Sequence, residues 1–404
     1  MKQNANGINM LDVKIKNRSS ILNLIYQSGG ISRKDIATTL GLTPAAITLI
    51  TTDLIKEGIL FEATADEIPI RKGRKEISLR INTKKYAAVG VYVTRNKFRI
   101  LCMDLDNSII FEDTVYTADC HKEYKLILDK LCNTLKTCLQ SYDVLRTRSL
   151  IGIGVSVNGI VDAYAGVSVH SYGIWEHNVP VVAYLKEKLD VPAVLTNNIC
   201  ALAHGESFLS QIDSPEDMLF IKYGPGVGAA RLTCKNFLNI FDFQAIELGH
   251  IISEPNGAPC VCGNVGCLET IVSYDSIEGA IKNIMSADTT PHLYAALGAP
   301  ENISMEHVMN AYMAKDHAVC TAVNRALYYL AAAIRNAICM FDPQKAILYG
   351  ELFEHPAIRQ ELHTQLSRYT DTEIVKFSHF NLQLDTLGPA TTIIQYFFQN
   401  GGKL

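Results

Sequence analysis

The sequence predicts an α/β protein headed by a winged helix-turn-helix, and three observations carry that expectation. Three apolar stripes of helical period, punctuated by glycines, occupy the first 60 residues. From about Lys85 onward, apolar strands alternate with amphipathic helices, the pattern of a sheet covered by helices. In the second half one histidine and three cysteines, His250, Cys260, Cys262 and Cys267, fall within eighteen residues.

The first helix is expected at about Val13–Gln27, with Ile15, Ile21, Leu24 and Ile25 as its stripe and Gly29-Gly30 ending it. The second starts at Ser32, whose hydroxyl suits an N-cap, and runs to Gly41. The third opens on Thr43-Pro44, an N-cap followed by a proline where the missing N–H costs nothing. Ile47, Ile50 and Leu54 form its buried face, and Gly58 is the expected C-cap. Two short helices joined by a tight glycine turn match the helix-turn-helix unit. The third would then be the recognition helix. Thr43, Pro44, Ala45, Ala46, Thr48 and Thr52 are the expected DNA contacts, with Ser32 and Arg33 at the start of the helix before it. The recognition-helix side chains are small, so close approach to thymine methyls is expected in place of bidentate hydrogen bonds.

The stretch that follows, ILFEATADEIPIRKGRKEISLRIN, reads as a hairpin with alternating Ile77, Leu79 and Ile81. Its basic knot is Arg71, Lys72, Gly73, Arg74 and Lys75. Such a segment is slim enough to enter a minor groove, where A·T-rich sequence deepens the negative potential. Residues 1–85 carry a net charge of +6 and the remainder −10, so nucleic-acid contact is expected from the head.

Composition narrows the remaining classes. At 404 residues two or three domains are expected. No apolar run approaches the roughly 20 residues of a membrane-spanning helix, and the first residues lack the apolar core of a secretory signal. The eleven cysteines are odd in number and mostly scattered, which favours a reducing, cytoplasmic setting over a disulfide framework.

In the body, AAVGVYV, FRILCMDL and SIIFEDTVY read as consecutive strands, followed by a helix over about Tyr124–Ser141. The strands LIGIGVSV, PAVLTNN and DMLFIKYG come later. The spacing His250, ten residues to Cys260, C-x-C, then five to Cys267 supplies one imidazole and three thiolates, a donor set suited to tetrahedral zinc. Four protein ligands leave no position for water, so the expected zinc is structural.

Four stretches resemble the ROK family of repressors and sugar kinases: IGIGVSVNGIVD at 151–162, VLTNNICALAHGE at 194–206, KYGPGVGAA at 222–230 and IELGHIISEPNGAPCVCGNVGCLE at 246–269. AAAIRNAICMFDPQKAILYGEL at 331–352 is a weaker fifth. The resemblance implies a two-lobed actin/hexokinase-like domain behind the winged helix. The implied divisions are 1–82 for the head, 83–196 for one lobe, 197–385 for the other with its zinc loop, and 386–404 for a C-terminal helix returning to the first lobe. It also implies a sugar site made of Asn158, Gly159, Asn197, Asn198, Glu247, His250 and Glu269. His250 would then use one ring nitrogen on zinc and the other toward a sugar hydroxyl.

Two departures from the family's kinases argue against phosphoryl transfer. Where the kinases carry Asn-Asp with the aspartate as base, this chain has Asn197-Asn198, and an amide cannot take up the proton. Where they carry Asp-x-Gly-Gly-Thr, Tyr92, Val93, Thr94, Arg95 and Asn96 stand. The glycines of Gly224, Gly226 and Gly228 remain. The reading reached is a sugar-responsive repressor, dimeric or tetrameric, on a palindromic operator and switched when ligand closes the lobes. The alternatives are an active sugar kinase with a regulatory head, and a regulator governed by a protein partner.

Overall fold

In the computed structural model, residues 10–63, 77–210, 217–233, 239–240, 243–369, 372–380 and 383–403 are described. The chain forms two compact units. The first comprises residues 1–214, 236–242 and 385–404, the second 215–235 and 243–384.

The first unit begins with α1 (Met10–Ser28), β1 (Ile31–Ser32), α2 (Arg33–Leu40), α3 (Pro44–Lys56), β2 (Leu60–Ala63) and β3 (Ser78–Ile81). The strands form a small antiparallel sheet in the order β1-β3-β2 behind the helices, a winged helix-turn-helix. Both sequence-read N-caps are made: Ser32 Oγ accepts from Asp35 N and Thr43 Oγ1 from Ala46 N. At the other end of α3 the C-cap is Glu57, one residue before the expected Gly58. The basic knot 71–75 lies outside the described residues.

Next come β4 (Tyr86–Val93), β5 (Lys97–Asp104), β6 (Ile109–Tyr116), α4 (Tyr124–Ser141), α5 (Val144–Thr147), β7 (Ser149–Val157), β8 (Ile160–Asp162), β9 (Val167–His170), α6 (Val181–Leu189), β10 (Ala193–Asn197) and α7 (Asn198–Leu209). Among the described residues the sheet runs β10-β7-β4-β5-β6, parallel across β10, β7 and β4 and antiparallel across β4, β5 and β6. β4 and β7 are buried along nearly their whole length, as the continuous apolar runs of their sequences require.

The second unit repeats that plan. Its strands are β11 (Met218–Tyr223), β12 (Val227–Leu232), β13 (Gln244–Ile246), β14 (Lys345–Tyr349) and β15 (Val375–Phe377). They are ordered β13-β12-β11-β14-β15. Counted within each unit, both five-stranded sheets have the order 3-2-1-4-5, the two-lobed duplication of an actin/hexokinase-like fold. Helices α8 (Glu269–Val272), α9 (Tyr274–Lys282), α10 (Pro291–Leu297), α11 (Met305–Met313), α12 (His317–Phe341) and α13 (Pro356–Leu366) cover this sheet.

The C-terminal helix α14 (Leu384–Gln399) lies with the first unit from Asp385 onward. It packs flush on the first sheet because Gly90 and Gly154 have no side chain. A Cβ on Gly154 would overlap the carbonyl oxygen of Pro389. The units divide after Ser214, not at 196–197, because α7 also packs on α14. Gly388 lies against the Ala201 backbone, and His204 Nδ1 is 3.0 Å from Thr391 Oγ1. One apolar cluster runs from Ile21, Leu22 and Ile47 in the head through Ala88 and Leu101 of the sheet to Ile393, Phe397 and Phe398 of α14.

Candidate functional site

In the head, α3 presents Thr43, Pro44, Ala45 and Thr48 to solvent, with Ala46 and Thr52 half-buried. Thr48 Oγ1 donates to the Pro44 carbonyl at 2.8 Å. The two positions expected on α2 are engaged within the head. Buried Ser32 is the helix cap, and its hydroxyl donates to Asp35 Oδ2 at 2.9 Å. Arg33 donates to Thr51 Oγ1 at 3.1 Å and pairs with Glu62 at 2.8 Å.

The first unit brings together four of the expected sugar residues at the carboxyl ends of β7 and β10, where ligands of open α/β sheets are bound. Val157 pairs with Asn197 across these strands, and Val93 of β4 pairs with Val157 on the other side. Asn197 Oδ1 accepts from the N–H groups of Ile199 and Cys200 at the start of α7, and its Nδ2 donates to Gly159 O at 2.7 Å. Asn197 therefore holds the site's frame. Asn198 follows it, 6% exposed. Gly159 has φ 113°, and a Cβ there would collide with the His170 carbonyl. The Tyr92 hydroxyl donates to Asn158 Oδ1 at 3.4 Å. The sequence flagged Tyr92 only as a lost phosphate-loop position, and its contact with Asn158 adds it to this group. The Thr94–Asn96 turn is closed by the Thr94 N–H and hydroxyl, both donating to the Lys97 carbonyl at 2.9 and 2.8 Å. Trp175 is buried core, its Nε1 donating to Ser168 Oγ at 3.0 Å.

The second unit brings together the metal candidates and the remaining three sugar candidates. The ligand atoms of His250, Cys260, Cys262 and Cys267 all lie within 4.8 Å of one another. His250 Nδ1 is 3.6 Å from Cys260 Sγ, and Cys262 Sγ is 3.6 Å from Cys267 Sγ. A tetrahedral zinc with bonds of about 2.3 Å to sulfur and about 2.0 Å to nitrogen gives edges of about 3.5–3.8 Å. The four residues can therefore hold a metal ion, and the donor chemistry fits zinc. Burial, with the thiols of Cys262 and Cys260 beside it, pushes Cys267 up to about 12. Deprotonating that thiol beside two other sulfurs calls for a cation among them.

With Nδ1 facing the thiols, His250 Nε2 lies 3.8 Å from Glu269 Oε2 and 4.0 Å from Glu247 Oε2. Burial pushes the Glu269 carboxyl above its ordinary range. Room for that carboxylate comes from two glycines: a Cβ on Gly226 would sit 2.6 Å from Glu269 Oε1, and one on Gly249 2.9 Å from Oε2. Gly226 of the glycine-rich loop thus packs on a carboxylate, a role its spacing did not reveal. The loop is moored to α12 by Glu254, which accepts from Arg325 and from the Tyr329 hydroxyl, each at 2.5 Å.

A winged helix-turn-helix DNA-binding model matches residues 16–60, and the ROK family model matches residues 88–390. The N-acetylglucosamine repressor of Shigella flexneri is 29% identical over 358 residues, covering 87% of this chain and 86% of the relative. A solved ROK family transcriptional regulator, a homolog of the Escherichia coli MLC protein, superposes with a TM-score of 0.81 at 23% identity, over 96% of this chain and 98% of that one. A ROK family glucokinase from Streptomyces griseus, in complex with glucose and AMPPNP, reaches 0.62 at 20% identity, over 76% of this chain and 98% of its own. The family model spans three quarters of the sequence, and the chain belongs to the ROK family.

Proposed function

We propose that this protein is a sugar-responsive transcriptional repressor, cytoplasmic and dimeric or tetrameric, that binds a palindromic operator through its winged helix. One observation carries the reading: a DNA-binding head is fused to a ROK domain whose first phosphate loop is a closed turn. The relative named as an N-acetylglucosamine repressor supports the sugar class. On the DNA, Thr43, Ala45, Ala46, Thr48 and Thr52 approach base edges, and the 71–75 knot enters the minor groove.

Asn158, Gly159, Asn197, Asn198, Glu247, His250 and Glu269 are the proposed sugar contacts, carried over from the family resemblance. Amides and carboxylates give the directional hydrogen bonds that a ring of hydroxyls demands. Zinc on His250, Cys260, Cys262 and Cys267 is structural: it fixes the loop and the tautomer of His250, leaving Nε2 for the ligand. Without a carboxylate at Asn198 the chain does not phosphorylate the sugar. A ligand preferring one conformational state by a few kcal/mol changes operator occupancy.

The test is thermal stability of the zinc-loaded protein against hexoses, pentoses, amino sugars and their phosphates, followed by operator binding with any ligand that raises the melting temperature. A shift that also changes DNA affinity supports the reading and gives its sign. No shift with any sugar removes the sugar class and puts a protein partner in its place.

A further inference from the structure

Ala45, Leu49, Thr52 and Lys56 follow one another along α3 at steps of four, three and four residues, so they share one face. That face lies opposite buried Ile47, Ile50, Thr51 and Leu54. Leu49 sits at its middle and leaves 64% of its surface to solvent, far more than a core-facing leucine. Among the surrounding side chains, Thr52 offers a base edge one hydroxyl, a single contact and not a bidentate one. Ala45 ends in a methyl. The Thr48 hydroxyl gives its proton to the Pro44 carbonyl, which leaves its oxygen as a single acceptor and its methyl to meet a ligand. Asp53 is paired with Lys14 at 3.3 Å, and Arg33 is tied to Thr51 and Glu62. Lys56 stands about two turns beyond Leu49, in the last turn of the helix, suited to a phosphate.

The centre of this face therefore carries no guanidinium, carboxamide or carboxylate able to make the bidentate contacts that read guanine, adenine or cytosine. The apolar group that the major groove displays is the 5-methyl of thymine. We infer that Leu49 is the specificity-determining residue of the head, packing on the 5-methyl group of a thymine in each operator half-site. The inference rests on the DNA-binding reading of the head and adds the base it reads and the side chain that reads it.

The experiment uses the full chain with its zinc. Duplexes are selected from a randomised library. The best one is resynthesised with each thymine replaced in turn by deoxyuridine, which lacks only the methyl group. Affinities are then measured for the wild type and for Leu49→Ala. The substitution keeps the fold, since the position is exposed and alanine is the better helix former, and an unchanged melting temperature checks this. The expected result is one thymine per half-site whose replacement weakens wild-type binding about fourfold, the worth of one buried methyl-sized group. The same replacement leaves Leu49→Ala unaffected. A wild type indifferent to every deoxyuridine, or a variant that responds as the wild type does, overturns the inference while leaving DNA binding intact. A Leu49→Ala protein of altered size in solution also overturns it, by assigning the leucine to contact between copies. If no duplex is enriched, the DNA-binding reading falls and the inference with it.

Discussion

Arg18, near the start of the chain, donates through Nε to the carbonyl oxygen of Gly401, close to its end, at 2.7 Å. The same guanidinium forms a bidentate pair with Glu57 at the foot of the recognition helix. Only 3% of the Arg18 side chain is exposed, so a charged group is held inside the junction of the head, the sheet and α14. The head is consequently not a bead on a linker. Whatever moves the first sheet moves the recognition helix with it.

Arg18→Ala leaves the buried Gly401 carbonyl without its donor and is expected to cost about 2–3 kcal/mol, the scale of a buried hydrogen bond to a charged group. The Glu57 carboxylate is 41% exposed, so its pairing adds little to that figure. Urea denaturation of the variant checks the loss. An unchanged midpoint would mean that the junction is held by apolar packing alone.

Gly154→Ala tests the close approach of α14 to the sheet. The new methyl overlaps the Pro389 carbonyl, and a backbone neighbour cannot swing aside, so a loss above about 3 kcal/mol or a failure to fold is expected. Gly224→Ala is the control: nothing lies within 4 Å of a Cβ there. Its melting temperature should match the wild type.

Removing one of the four proposed zinc ligands should undo the loop. Cys267→Ser is expected to lower zinc content from about one ion per chain and to weaken zinc affinity at least tenfold. Metal analysis after dialysis reads the first effect and chelator competition the second. Full zinc retention by this variant would place the ion elsewhere.

His204 makes stability depend on pH. Burial pushes its imidazole down to about 3. The unfolded chain takes up a proton near pH 6.5, while the folded chain does not until about 3. Between those values the unfolded state binds more protons, so stability falls as pH drops, approaching about 1.4 kcal/mol per unit. Above about pH 7 this residue contributes no pH dependence. Urea midpoints at pH 7 and 5 should differ less in His204→Gln than in the wild type.

On the proposed reading, introducing a carboxylate at Asn198 should not produce phosphoryl transfer. Asn198→Asp supplies a carboxylate at the position to which the family resemblance assigns the kinases' base, yet Thr94 still donates to the Lys97 carbonyl and closes the turn that the resemblance assigns to the first phosphate loop. A coupled ATP assay over a sugar panel is expected to stay at background. Turnover by this variant would show that the first phosphate loop is dispensable.

Short-range rules determine much of this protein. The caps at Ser32 and Thr43, the apolar stripe of α3, the continuous strands β4 and β7 and the spacing of His250, Cys260, Cys262 and Cys267 all depend on neighbours within a few turns of chain. A sequence displays such neighbours directly. The frame made by Asn197 was visible only as an amide, because whether it caps a helix or meets a ligand depends on where β7 brings Gly159. The exposure of Leu49, the engagement of Arg33 with Glu62 and the contact of Tyr92 with Asn158 were likewise decided by packing. So was the largest surprise, a single core running from Ile21 through Ala88 to Phe398. Periodicity says that a helix has an apolar face. It cannot say which distant segment covers that face, and here rings nearly the whole chain apart, Tyr26 and Phe398 with centroids 5.3 Å apart, supply the answer.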